Sequence, residues 1–242
     1  MKLQYNNINF KYDKTLIFDN LNLTIENGIT VITGNNNSGK STLLKITGGK
    51  LPYDGSITID NKEIKRYKKY IFLDYQYINK LKGLVSEYLT NIDDKLIEYM
   101  DIIDYLNDDI KKLSLETKIK ICLAKYINEM DILLIDNLLC WLNKNDKNKI
   151  LKRLKTISKN KIIIITTNNM EDLLFTKRII CLDKGKIIID YDINGFFSDK
   201  KRLEKYKIEL PFLIDLSYNL KLYNIIDDIY MDTGKLVDAI WK

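Results

Sequence analysis

The chain has 242 residues, 45% of them hydrophobic, which suffices for a sizeable core and fits one medium domain with an appendage. Its formal charge of +6 arises from 39 basic and 33 acidic residues that are interspersed, which favours a solvated surface over a nucleic-acid patch. No apolar run approaches the roughly 20 residues of a membrane-spanning helix, and histidine is absent, so no imidazole serves as base, proton shuttle or metal ligand.

The start, MKLQYNNINF, lacks the apolar core of a signal peptide, and a cytoplasmic location is expected. Alternation in LQYNNINF and LNLTIEN predicts an antiparallel pair, and ITVIT at 29–33 predicts a buried strand. Directly after it, Gly34-Asn35-Asn36-Asn37-Ser38-Gly39-Lys40-Ser41-Thr42 fits G-x-x-x-x-G-K-[ST], with a helix predicted over 42–47. Gly34 and Gly39 let the backbone turn so that successive N–H groups point at one phosphate. Lys40 brings a positive charge to the outer phosphates, Ser41 offers a hydroxyl to Mg²⁺, and the helix N-terminus adds its dipole.

LPYDGSITID reads as a turn into a short strand. Over residues 85–128 the spacing becomes helical, with Leu89, Ile92, Leu96, Met100 and Ile103 on one face, which predicts a helical insertion at about 78–130. Strands return as DILLID at 131–136, KIIIIT at 161–166 and the pair RIICLD and KIIID, with the polar helix NDKNKILKRLKTIS after the first. DILLID delivers Asp136 after four apolar residues, where a buried strand places a carboxylate to hold Mg²⁺ through water. Cys122, Cys140 and Cys181 are far apart, odd in number and set in apolar runs, so buried thiols in a reducing compartment are expected. From about Phe197 the rhythm changes to two or three short helices ending in KLVDAIWK. The predicted fold class is therefore α/β, a P-loop NTPase core over 1–196 with an antiparallel β subdomain and a helical insertion, followed by a small C-terminal helical module over 197–242.

Over about 200 positions these residues resemble the ABC ATPase family. Tyr12, in FKYDKT, is similar to the aromatic that stacks on adenine, and Gln76, in IFLDYQY, to the glutamine that senses Mg²⁺ and faces the membrane subunit. KKLSLETKIKICLAKYI at 111–127 resembles the signature helix, LSGGQ followed by a basic, small-residue helix. Only Leu113 and Ser114 are kept; Leu115, Glu116 and Thr117 replace the two glycines and the glutamine. Ser114 can cap the helix, whereas Glu116 puts a carboxylate in the first turn, where the family places the opposite subunit's γ-phosphate. Asn137 stands where the family has a glutamate acting as general base, and an amide cannot accept that proton. Asn168, in IIIITTNNM at 162–170, stands where a histidine contacts the γ-phosphate, and residues 138–143 lack the usual proline and closing aspartate. Several motifs depart together, which is natural degeneracy rather than one engineered trap substitution.

The resemblance implies a subunit that binds ATP and Mg²⁺ with weak or no intrinsic hydrolysis, peripheral on the inner face of the cell membrane and joined to integral membrane transporter subunits, not nucleic acid. A second ABC ATPase as heterodimer partner is preferred, because a homodimer would pair Asn137 and Asn168 with Glu116 in both composite sites. FFSDKKRLEKYKIELPFLIDLSYNLKL resembles the C-terminal module of the ATPases of energy-coupling-factor importers of vitamins and transition metals, which joins two ATPases, usually different ones. Three alternatives stay open. One is the ATPase subunit of another ABC transporter, such as a peptide exporter; another is a soluble ABC protein acting on DNA or ribosomes, although those resemble tandem cassettes or carry long coiled coils. The third is a non-catalytic assembly subunit. The transported substrate is not encoded here, since membrane subunits choose it.

Overall fold

The computed structural model describes residues 1–206 and 208–241. Its first half runs β1 (Lys2–Tyr12), β2 (Thr15–Glu26), β3 (Gly28–Thr33), α1 (Lys40–Thr47), β4 (Asp54–Ile59), β5 (Lys62–Glu63), β6 (Tyr70–Leu73), α2 (Tyr75–Asn79), α3 (Val85–Tyr88), α4 (Asp94–Tyr99) and α5 (Leu115–Glu129). The second half runs β7 (Ile132–Asp136), α6 (Lys144–Ile157), β8 (Ile162–Thr166), β9 (Arg178–Asp183), β10 (Lys186–Asp192), α7 (Ile193–Phe196), α8 (Lys200–Lys205), α9 (Phe212–Leu222) and α10 (Thr233–Ile240).

Two sheets result. One is antiparallel, ordered β2-β1-β4-β5; the other is ordered β10-β9-β3-β8-β7-β6 and parallel except for β10. The parallel strands read as unbroken apolar runs because both faces are covered. In β7, Ile132 and Leu134 pack toward the antiparallel sheet and α1, while Leu133 and Ile135 pack toward α5, α6 and the C-terminal helices. In β1 the alternation slips at Asn7, whose φ of 53° lies in the left-handed region that asparagine tolerates. Asparagine side chains take up the freed backbone groups: Asn7 N–H donates to Asn22 Oδ1 at 2.9 Å, and Asn20 N–H to Asn9 Oδ1 at 2.8 Å.

The strands expected from the sequence are all present, and two more are added: the two-residue β5 beside β4 and the four-residue β6 at the sheet edge beside β7. The expected helical face over Leu89–Ile103 is not one helix. Asn91 and Asp101, at φ of 66° and 52°, break it, and Ile103 is 49% exposed while Leu89, Leu96 and Met100 are buried. Cys140 corrects the expectation of three buried thiols: it is exposed, in a single turn after β7, whereas Cys122 and Cys181 are buried. Burial pushes the Cys122 thiol up to about 12 and Cys181 to about 11.

The C-terminal helices seal one end of the larger core through Phe196, Phe197, Leu203 and Ile214, all essentially inaccessible. They also leave Phe212, Leu222, Tyr223 and Trp241 between 74% and 84% exposed.

Lys184 and Gly185, with φ of 45° and 76°, make the tight turn between β9 and β10. The Gly185 N–H donates to Ser38 O at 2.9 Å, and a Cβ at Gly185 would lie 1.6 Å from Ile17 O. Backbone cannot yield there as a side chain could, so Gly185→Ala is expected to cost about 3 kcal/mol or more. In thermal melts this lowers the midpoint by about 6–12 °C; a shift under about 2 °C would show the turn to be pliable.

Candidate phosphate-binding site

The loop from Gly34 to Gly39 leaves β3 and enters α1, and its shape is set by three left-handed residues, Gly34, Asn37 and Gly39. A Cβ at Gly34 would stand 2.0 Å from Leu182 O, so close approach requires glycine there, whereas at Gly39 the φ of 105° requires it. Most helices here are capped by Asp, Asn or Ser. No side chain caps α1, and its first turn has no acid, so its leading N–H groups and positive dipole end remain open to an anion.

Lys40 curls over the loop, donating from Nζ to Gly34 O at 2.7 Å, Asn35 O at 2.8 Å and Ser38 Oγ at 3.4 Å. Burial pulls its ammonium below the ordinary lysine range, partly offset by the charge of Asp136. Asn36 to Thr42, Asn137, Thr166, Thr167 and Asn168 line a cavity of 280 Å³ over this loop.

At one corner Ser41 Oγ donates to Asp136 Oδ1 at 2.8 Å, and Thr166 Oγ1 donates to the same oxygen at 2.6 Å. Asp136 and Thr166 close β7 and β8 in direct register, so the sheet itself brings carboxylate and hydroxyl together. Thr166 was not legible in the sequence; its role follows from the pairing of two strands 30 residues apart. Among the described residues no group of three His, Cys, Asp or Glu could hold a metal. One carboxylate and a hydroxyl suit Mg²⁺, which keeps waters and takes its other oxygens from phosphates.

Thr166→Val keeps the shape and removes the donor. Hydrogen bonds to charged groups contribute about 1.5–3 kcal/mol, so Mg-ATP affinity is expected to fall about tenfold with Mg²⁺ present and to be little changed in EDTA. Equal losses in both arms of a calorimetric titration would remove Thr166 from the metal corner.

Asn137 follows β7 at φ 51°, its N–H held by Thr166 Oγ1 at 2.9 Å. Asn168 donates through Nδ2 to Asn36 Oδ1 at 3.2 Å across the cavity mouth. Beneath it, Thr167 Oγ1 donates to the buried Asp172, which pairs with Lys147 at 2.9 Å and so anchors the segment carrying Asn168.

Four of the candidate residues lie away from the loop and from the Asp136 corner. Tyr12 ends β1, 42% exposed and edge-on to Phe10 at 4.7 Å, in the hairpin whose Phe18 packs on the loop. Gln76 is exposed on the first turn of α2; the residue that leaves β6 is Asp74, which caps α2 by accepting from Tyr77 N–H at 2.7 Å. Ser114 caps α5, accepting from Thr117 N–H at 3.1 Å. Glu116 is in the first turn as expected, but its carboxylate is engaged within the chain, accepting from Asn143 N–H at 2.9 Å and Asn143 Nδ2 at 2.7 Å.

A second hollow of 670 Å³ behind the loop, toward Tyr206 and Glu209, shares only Asn36 and Asn168 with the first and carries both signs of charge. The uncapped helix end and, at the Asp136 corner, Ser41 and Thr166 belong to the smaller cavity.

Residues 18–139 match the model of the ABC transporter family. The chain is also 31% identical over 238 residues to the energy-coupling factor transporter ATP-binding protein EcfA of Onion yellows phytoplasma, covering 88% of each protein. The chain belongs to the ABC transporter family. This ABC protein is likewise 30% identical to the energy-coupling factor transporter ATP-binding protein EcfA1 of Mesomycoplasma hyopneumoniae strain J, over 94% of this chain and 92% of that one. Its fold is that of cbiO1 from Clostridium perfringens, described as part of the ABC transporter complex cbiONQ, with TM-score 0.68 and 22% identity over 90% of this chain and 98% of that one. The P-loop NTPase fold expected from the sequence is thus the fold observed, and the likeness extends to the ATP-binding proteins of energy-coupling factor transporters.

Proposed function

We propose that this chain is the ATP-binding subunit of an energy-coupling-factor importer, that it holds Mg-ATP tightly and that it hydrolyses it weakly or not at all. The observation that carries this reading is an open cradle beside altered catalytic positions. The backbone of Gly34–Gly39, Lys40 and the uncapped α1 receive the phosphates, Ser41 and Asp136 hold Mg²⁺, and Tyr12 lies beneath adenine. Asn137 and Asn168 occupy the positions of base and switch.

A second ATPase completes the pair, and the membrane subunits hold both on the inner face of the cell membrane. The names of the relatives support the energy-coupling-factor class. Among the described residues no helix is long and apolar enough to cross a membrane. Phe212, Leu222, Tyr223 and Trp241 each stand largely exposed in the C-terminal module, apolar area that docking of the module would cover.

The test is purification of tagged chain from cells that express its genomic neighbours. Recovery with a second ATPase and an integral membrane protein is expected. A stable homodimer by light scattering, with ordinary ATP turnover and no other subunit, would overturn the reading.

A further inference from the structure

Glu116 and Asn143, read in the sequence as separate departures from the family pattern, touch each other. Glu116 and Lys120 stand one turn apart on the same face of α5, and both grip the first turn of α6. Glu116 Oε1 accepts from the backbone and side-chain amides of Asn143, the residue that caps α6, and Lys120 Nζ pairs with Asp146 at 3.0 Å. The Asn143 Nδ2 group also donates to Asp146 Oδ2 at 3.1 Å, so one neutral amide bridges two carboxylates. An aspartate there would set a third carboxylate against them, whereas the asparagine satisfies both.

The segment 137–143 is pinned at its other end as well, where the Asn137 N–H sits on Thr166 Oγ1 at the wall of the phosphate cavity. Between the pins Leu138, Leu139 and Leu142 are buried, at 1%, 1% and 7% exposure. A short segment anchored by three core leucines moves as a unit rather than flexing, because packed interiors are not continuously deformable.

We propose that Glu116 and Asn143 form a latch within the subunit, through which segment 137–143 carries the occupancy of the phosphate cavity to the first turn of α5. Both act as positioning residues; neither touches nucleotide. In place of an open helix end facing a partner's phosphate, this signature helix spends its first turn on its own subunit. The inference rests on the cavity being the nucleotide site.

Hydrogen exchange on the full chain, with and without Mg-ATP, tests it. In the unaltered protein Mg-ATP is expected to slow exchange at 34–42, at 137–143 and at 115–118. In N143D the free protein should exchange about tenfold faster at 115–118, and Mg-ATP should still protect 34–42 while 115–118 no longer responds. In E116Q/N143D, where the amide and the carboxylate trade places, the response at 115–118 should return, which a generally loosened helix would not show. Glu116→Ala provides the same break if N143D proves too unstable to purify. An undiminished response at 115–118 in either broken variant, or no recovery in the exchanged pair, overturns the latch. Absence of protection at 34–42 in the unaltered protein overturns the nucleotide reading itself, and the latch's role with it.

Discussion

Lys40→Met lowers Mg-ATP affinity by about 100-fold in calorimetric titration, while the thermal midpoint stays within a few degrees. A charged hydrogen bond to a phosphate contributes about 1.5–3 kcal/mol, and an ammonium that reaches two phosphates makes more than one of them. Without ligand the same ammonium satisfies itself on Gly34 O, Asn35 O and Ser38 Oγ, so it is already poised over the loop and its burial is already met. Methionine keeps the stem that covers the loop and deletes the charge. Lys40→Arg should recover little, because the wider guanidinium fork does not fit the pocket formed by those three oxygens. Unchanged affinity in Lys40→Met would mean that the loop does not cradle phosphate.

Asn137→Glu alone produces no vigorous ATPase, with phosphate release rising less than tenfold over the starting protein. A positioned general base typically contributes 10² to 10⁴ in rate, so the altered position could by itself account for a quiet site. Stabilisation of the developing charge is a separate term, and Asn168 supplies only a neutral amide, itself occupied with Asn36. The backbone adds a second obstacle. Asn137 sits at φ 51°, a conformation that costs most residues about 1–2 kcal/mol and asparagine less, so a glutamate must strain or shift the segment that aims it. Groups acting as a unit recover little when mended singly, so the series continues with Asn168→His added and is assayed alone and with the native partner. Near-normal turnover from Asn137→Glu as a homodimer would show that the remaining departures have no catalytic cost.

The phosphate loop was legible because its chemistry is local: nine consecutive residues specify turn, charge and hydroxyl, and the flanking apolar runs declare strand and helix. Asp136 could be read only in company: a carboxylate after a strand is more often a helix start, but this one stands 95 residues past Ser41 with a helical insertion between. What escaped the sequence depended on register or on packing between distant segments. Thr166 matters only because β7 and β8 end level, and β6 is four residues long beside a polar turn, too short for any period to assert itself. The Glu116–Asn143 contact joins residues 27 apart through the docking of α5 on α6, which no spacing rule encodes. Periodicity misled at Ile103, where an apolar spacing ran on past Asp101 although the backbone had already turned.

The bare C-terminal surface has a bearing on how much of this chain a cell can keep. Under the proposed pairing, a copy without its counterpart would carry Phe212, Leu222, Tyr223 and Trp241 into water at 74% to 84% exposure, an invitation to aggregation and to chaperone or protease capture. Accumulation would then be governed by the scarcer subunit, with the orphan removed after translation. Overproduction of this gene by itself should accordingly give poor soluble yield, and co-production of the counterpart should raise it without any change in the amount synthesised.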